Sequence, residues 1–160
     1  MADHVLTVGR KAPAFSLKDQ NGEKVALKDL AGQWAVLYFY PKDDTPGCTK
    51  EACQFTESIE AFTGMNARVF GISPDEEGSH QKFIDKFDLK VDLLCDPGHK
   101  MMEKYGAWGT KKMYGKEVVG VKRSTIIVDP DGKVAHIWAS VRADGHAAKV
   151  REQLASLQEA

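Results

Sequence analysis

Long apolar runs are missing from this sequence: none approaches the ~20 residues that span a bilayer, and the opening stretch MADHVLTVGRKAPAF lacks the apolar centre of a signal peptide. An excess of one charge is missing too. The 22 basic residues against 23 acidic ones leave a formal charge of -1, with no block of like charge to suit nucleic acid or an anionic membrane. Small or neutral partners are expected, with no nucleic acid and no membrane. Cysteine is sparse, three in 160 residues, and an odd number without an export signal argues against a disulfide framework. The thiols are therefore buried or reactive, and a cytoplasmic chain is expected. Internal repeats, low-complexity tracts and linkers are also absent, so residues 1–160 are expected to form one domain with a core that needs no disulfide or metal.

What is present alternates strand and helix. FSLKDQNGEKVAL reads as a β-hairpin about Asn21-Gly22, and STIIVDPDGKVAHIWASV as a second about Asp131-Gly132. WAVLYFY, residues 34–40, is apolar on both faces, as in a central strand, and Pro41 ends it. ARVFGIS and VDLLCD read as further strands; DEEGSHQKFIDKFD and HKMMEKYGA read as helices, and the alternation suits a parallel α/β sheet. Cys48, Ala52, Phe55, Ile59 and Phe62 form one helical stripe, and Ala148, Val150, Leu154 and Leu157 mark a closing helix.

The chemistry concentrates in YFYPKDDTPGCTKEACQF, residues 38–55. Thr45 can cap a helix with its side-chain oxygen, Pro46 suits the first helical position, and Gly47 permits a close approach. Cys48 then sits in the first turn, where free N–H groups and the helix dipole favour thiolate over thiol. Its plain alternative is a small residue opening a core stripe. Cys53 follows five residues later. On an intact helix that is ~7.5 Å of rise and ~140° of rotation, so the Cα atoms stand roughly 8 to 9 Å apart, whereas a disulfide needs about 7 Å or less. If the two bridge, the first turns of the helix unwind. A C-x-x-C pair would not require this, so the spacing favours a cysteine that first reacts alone and is resolved later.

This segment resembles the active-site segment of the peroxiredoxins, specifically the Q type, also called bacterioferritin comigratory protein. The P-x-x-x-T-x-x-C pattern falls on Pro41, Thr45 and Cys48, and KYGAWGTKKMYGKEVVGVKRSTIIVDPDGKV is similar to the later family block, placing the family arginine at Arg123. The likeness covers nearly the whole chain. It implies a thioredoxin-like α/β fold, a central mixed sheet flanked by helices with an N-terminal β-hairpin, and a thiol peroxidase acting on hydrogen peroxide and alkyl hydroperoxides. It also implies Cys48 as peroxidatic cysteine and Cys53 as resolving cysteine, an intramolecular Cys48–Cys53 disulfide reduced by thioredoxin or glutaredoxin, and no cofactor. The Thr45 hydroxyl, the Cys48 N–H and Arg123 would face the reacting peroxide, and Pro41 would shield the sulfur. Relatives of this type are often monomers, though dimers occur. Cys95, behind the apolar run VDLL, reads as a buried, inert thiol, with a secondary resolving role as the alternative. Two rival classes remain: a disulfide reductase, which would want C-x-x-C, and a zinc module using Cys48, Cys53, Cys95 and His99, whose spacing suits structural zinc poorly.

Overall fold

The computed structural model describes residues 6–159, Met113 by its backbone alone. Residues 1–5, which begin the stretch where no leader is read, lie outside it, as does Ala160. A 7-stranded mixed sheet runs in the order β2-β1-β5-β4-β3-β8-β9. Its strands are β1 (Ser16–Lys18), β2 (Lys24–Ala26), β3 (Trp34–Phe39), β4 (Ala67–Ser73), β5 (Asp92–Cys95), β8 (Ser124–Val128) and β9 (Val134–Trp138). The helices are α1 (Pro46–Glu57), α2 (Ile59–Gly64), α3 (Glu77–Phe87), α4 (Lys100–Lys104) and α5 (His146–Glu159). The expected parallel core is β3, β4 and β5, with β1 and β8 joining it antiparallel on either side.

The alternation of side chains along β3 divides the core. Ala35, Leu37 and Phe39 join Phe70, Ile72 and Leu94 on one face, beneath α4 and the N-terminal hairpin. Val36, Tyr38 and Tyr40 join Cys48, Ala52, Phe55 and Phe62 on the other, with Phe83 of α3 and Val150 and Leu154 of α5. Both faces of the central strand are thus buried, as its unbroken apolar run predicts.

Both expected hairpins form, and by one device. Asp19 and Asp129 each accept two backbone N–H groups from the turn they open, and Gly22 and Gly132 take φ of 79° and 81°. Neither Asn21 nor Asp131 takes a positive φ. Each turn therefore needs one left-handed residue, and an aspartate at its first position completes it.

Three expectations are corrected. The stripe from Cys48 to Phe62 lies on two helices, because the chain breaks at Ser58 (φ -98°, ψ 5°), and Ile59 is only half-buried. In α5 the buried residue is Ala147, with Ala148 exposed, since an i, i+3, i+7 row from Ala147 through Val150 to Leu154 faces the sheet. A third hairpin, β6 (Trp108–Met113) and β7 (Lys116–Val121), forms a separate two-stranded sheet where no strands are read from the sequence.

Candidate active site

The exit of β3 and the entry of β8 lie side by side, because the two strands pair antiparallel with Phe39 opposite Ser124. The chain leaving β3 turns into α1, and Arg123, the residue before Ser124, is thereby set against the first turn of that helix. Its Nη2 donates to Cys48 Sγ at 3.1 Å and its Nη1 to Glu51 Oε1 at 2.6 Å. Cys48 is 1% exposed and Glu51 is fully buried. Gly47 is what permits this: a Cβ there would stand 3.3 Å from Arg123 Nη2. The close approach expected at Gly47 is that of the guanidinium.

The electrostatics follow from burial. Burial pushes the Glu51 carboxyl up to about 7, against the pull of Arg123. Its other oxygen, Oε2, is buried without a hydrogen-bond partner, as is the hydroxyl of Tyr38 on the strand beneath. Burial pulls the Arg123 guanidinium down, but the charges of Glu51 and then Cys48 outweigh it and hold the pKa above its ordinary value. The cation is thus fixed between a carboxylate and a sulfur, both carried by α1 one turn apart.

Thr45 occupies the N-cap position with an extended backbone, φ -109° and ψ 155°, yet makes no side-chain cap. This corrects the capping expected of it: the hydroxyl donates to the Lys42 carbonyl at 2.8 Å and so closes the loop before the helix. The first intrahelical bond runs from the Thr49 N–H to the Thr45 carbonyl at 2.8 Å. The Gly47 and Cys48 amides precede it, in the turn whose N–H groups a helix leaves free for an anion. Pro41 ends β3 as expected and is exposed there; the sulfur is sheltered by the core cluster that includes Tyr38, Tyr40 and Ala52.

Cys53 lies in the unbroken part of α1, half-buried at the rim of the same core, with a free thiol like Cys48 and Cys95. It lines an open cavity of about 520 Å³ with Asp44, Thr49, Lys50 and Phe87. Burial and then the charge of Glu57 push its thiol up. Cys95 is buried at the end of β5, where burial, then Glu77, Asp43, Asp19 and Glu76, push it up to about 12. A thiol so held stays protonated, which suits the inert reading. Among the described residues no group of three or more His, Cys, Asp or Glu is placed to hold a metal ion. His99, the fourth ligand of the zinc alternative, instead stacks on Trp108 with centroids 3.6 Å apart.

Two functional features were not read from the sequence. Glu51 looks like a solvent-facing charge in TKEACQF; only Arg123, 72 residues away, reveals it as part of the site. Asp43 is buried in the loop before α1. Its carboxylate takes hydrogen bonds from Tyr40 and Ser79 and faces His80 Nδ1 at 2.7 Å, while His80 Nε2 meets the Leu94 carbonyl at 2.9 Å. That network ties the active-site loop to α3 and β5.

A nucleophilic sulfur in a helix's first turn, faced by a fixed guanidinium, can attack an electrophile whose leaving atom gathers negative charge. The relatives agree with this chemistry. Residues 8–137 match the AhpC/TSA family. The chain is 43% identical over 154 residues to peroxiredoxin Bcp of Bacillus subtilis, covering 96% of this chain and 98% of that one. The bacterioferritin comigratory protein of Xanthomonas campestris, known for alkyl peroxide reduction, superposes with a TM-score of 0.87 at 34% identity, covering 94% of this chain and 98% of that one. A Cys-to-Ser variant of PrxQ from Xylella fastidiosa gives a TM-score of 0.89 at 31% identity, covering 95% and 97%. Likeness at this level over nearly the full length, in a fold that sets a first-turn cysteine against Arg123, means that the chain belongs to the AhpC/TSA family, among the thioredoxin-fold peroxiredoxins of the Bcp, or Q, type.

Proposed function

We propose that the chain reduces hydrogen peroxide and organic hydroperoxides, with Cys48 as the peroxidatic residue and Cys53 as the resolving one. The observation that carries this reading is the 3.1 Å contact from Arg123 to Cys48 Sγ in the first turn of α1. The thiolate of Cys48 attacks one peroxide oxygen and the O–O bond breaks. The departing oxygen takes a proton and leaves as water or alcohol, and the sulfur becomes sulfenic acid. The Cys48 N–H and the Arg123 guanidinium stabilise charge on that path, and losing one such donor typically costs ~100-fold or more in rate. The Thr45 hydroxyl joins them only by leaving the Lys42 carbonyl. Pro41 stays in the set as the residue that turns the chain from β3 into this loop.

Cys53 then attacks the sulfenic sulfur, water leaves, and the Cys48–Cys53 disulfide forms. Because α1 is continuous from Pro46 to Glu57, this step requires its first turns to unwind. A thioredoxin or glutaredoxin returns both thiols, which places the enzyme in a compartment that keeps thiols reduced, the cytoplasm. We take residues 1–160 as one domain, working as a monomer.

The test is peroxide consumption coupled to a thioredoxin system. Cys48→Ser is expected to abolish it, and Cys53→Ser to consume about one equivalent and then stall as sulfenic acid. Steady turnover by Cys48→Ser would overturn the assignment.

A further inference from the structure

The part of α1 that carries both cysteines is bracketed by ties to the rest of the molecule. On its N-terminal side Asp43 is 7% exposed and bound to Tyr40, Ser79 and His80, and its own N–H donates to Asp75 Oδ2 at 2.8 Å. On its C-terminal side Gln54, the residue after Cys53, reaches the turn that opens α5. Its Nε2 donates to Asp144 Oδ1 at 2.7 Å, and its Oε1 accepts the Gly145 N–H at 2.8 Å. The amide orientation follows from its partners, a carboxylate on one side and an N–H on the other. Next to it, Phe55 is fully buried, stacked on Tyr38 at 4.7 Å and edge-on to His146 at 6.1 Å. The Gln54 carbonyl accepts the Ser58 N–H at 3.3 Å, a bond that survives if unwinding stops at Cys53.

We propose that Gln54 is a positioning residue for the resolving step, a latch that confines the opening of α1 to Pro46–Cys53 and thereby sets the fate of oxidised Cys48. The proposal rests on the peroxidatic and resolving roles given above. Two reactions compete for the sulfenic acid. In one, the Cys53 thiol displaces hydroxide from the sulfenic sulfur, which leaves as water with the thiol proton, and the disulfide forms. In the other, the sulfenate attacks a second hydroperoxide, whose O–O bond breaks to leave alcohol and a sulfinate. The first needs the helix open, whereas the second needs Cys48 where Arg123 faces it, with the helix closed. A latch at Gln54 shortens the segment free to open, so it favours the closed state and the second reaction.

The experiment titrates hydroperoxide against the reduced protein and reads sulfinic acid at Cys48 by mass spectrometry, for wild type, Gln54→Ala, Asp144→Ala, the double variant and Asp144→Asn. Loss of the latch lets longer segments of α1 open as well, and is expected to lower the sulfinic yield at fixed peroxide by up to about fivefold, the limit set by one net hydrogen bond. The double variant is expected to match Gln54→Ala, since the pair acts through one contact. Asp144→Asn keeps an acceptor and is expected to stay near wild type. Hydrogen exchange supplies a readout that mere destabilisation does not move. In the disulfide form the Ser58 amide, whose acceptor is the backbone carbonyl of residue 54, stays protected in wild type and exchanges in Gln54→Ala, while in the reduced form it stays protected in both. Unchanged sulfinic yields, with the first equivalent of peroxide consumed at the wild-type rate, would overturn the latch and leave the peroxidatic reading standing. Failure of the wild type to consume peroxide would remove both.

Discussion

Glu51 shows how far a single residue's role depends on tertiary partners. In a helix written PGCTKEACQFTE, a Glu flanked by Lys50 reads as surface, and only the fork of Arg123 gives it a place in the interior. Its burial carries a pH signature. The carboxyl titrates near 7 in the folded protein and near about 4.3 in the unfolded chain, so between those values the native state holds a proton that the unfolded state has lost. The stability this confers is fully present below the unfolded value and is lost as pH rises through about 7. Denaturant unfolding at pH 5 and pH 8 is expected to show wild type losing up to about 3 kcal/mol more than Glu51→Gln across that window. Equal losses in the two proteins would contradict it. The meeting of Cys48 with Arg123, by contrast, is legible from the sequence. Cysteine placement and the Thr-Pro-Gly lead-in are local signals, and the arginine came with the family block. Asp43, His80 and Gln54 were not, because the contacts that give them a place, Asp43 with Ser79 and His80 and Gln54 with Asp144, join residues 36, 37 and 90 positions apart.

At the scale of elements, legibility followed the strength of each local pattern. The strands and helices that pack on the central sheet were read nearly to their ends, since burial on a sheet face imposes clear periodicity. The β6–β7 hairpin escaped because its turn is disguised. Its two central residues, Tyr114 and Gly115, take φ of 52° and 79°, the geometry that Asn-Gly usually signals, and Tyr114 is 98% exposed. β6 also carries Lys111 and Lys112 and β7 opens on Lys116-Glu117, and the two-stranded sheet leaves no fully buried face to mark a period of two. A bulky residue in the left-handed region costs about 1 kcal/mol. Tyr114→Asn is therefore expected to raise the thermal midpoint by a few degrees, with peroxide reduction unchanged. A lowered midpoint would show that the tyrosine earns its place by other contacts. The break at Ser58 was missed for a different reason: the apolar stripe runs through it undisturbed, so periodicity alone could not locate it.

On the scale of the whole molecule, the site is divided between the sheet and α1. Arg123 is fixed by the sheet, entering β8 and accepting the Val141 N–H at 3.0 Å through its carbonyl. Cys48 and Glu51 ride on α1. In the proposed cycle both leave the guanidinium together when the helix opens for the disulfide, and the peroxide site ceases to exist until the reductant has acted. A molecule that has closed its disulfide is thus out of service for a second peroxide, and the reductant in turn finds no disulfide to attack until a peroxide has been turned over. The two substrates must alternate on one enzyme form each, never meeting in a ternary complex. Double-reciprocal plots of rate against peroxide at several thioredoxin concentrations should run parallel; lines converging on a common point would mean that the site outlives the opening of its helix. The antiparallel pairing of β3 with β8 is, in kinetic terms, what makes the enzyme keep strict turns.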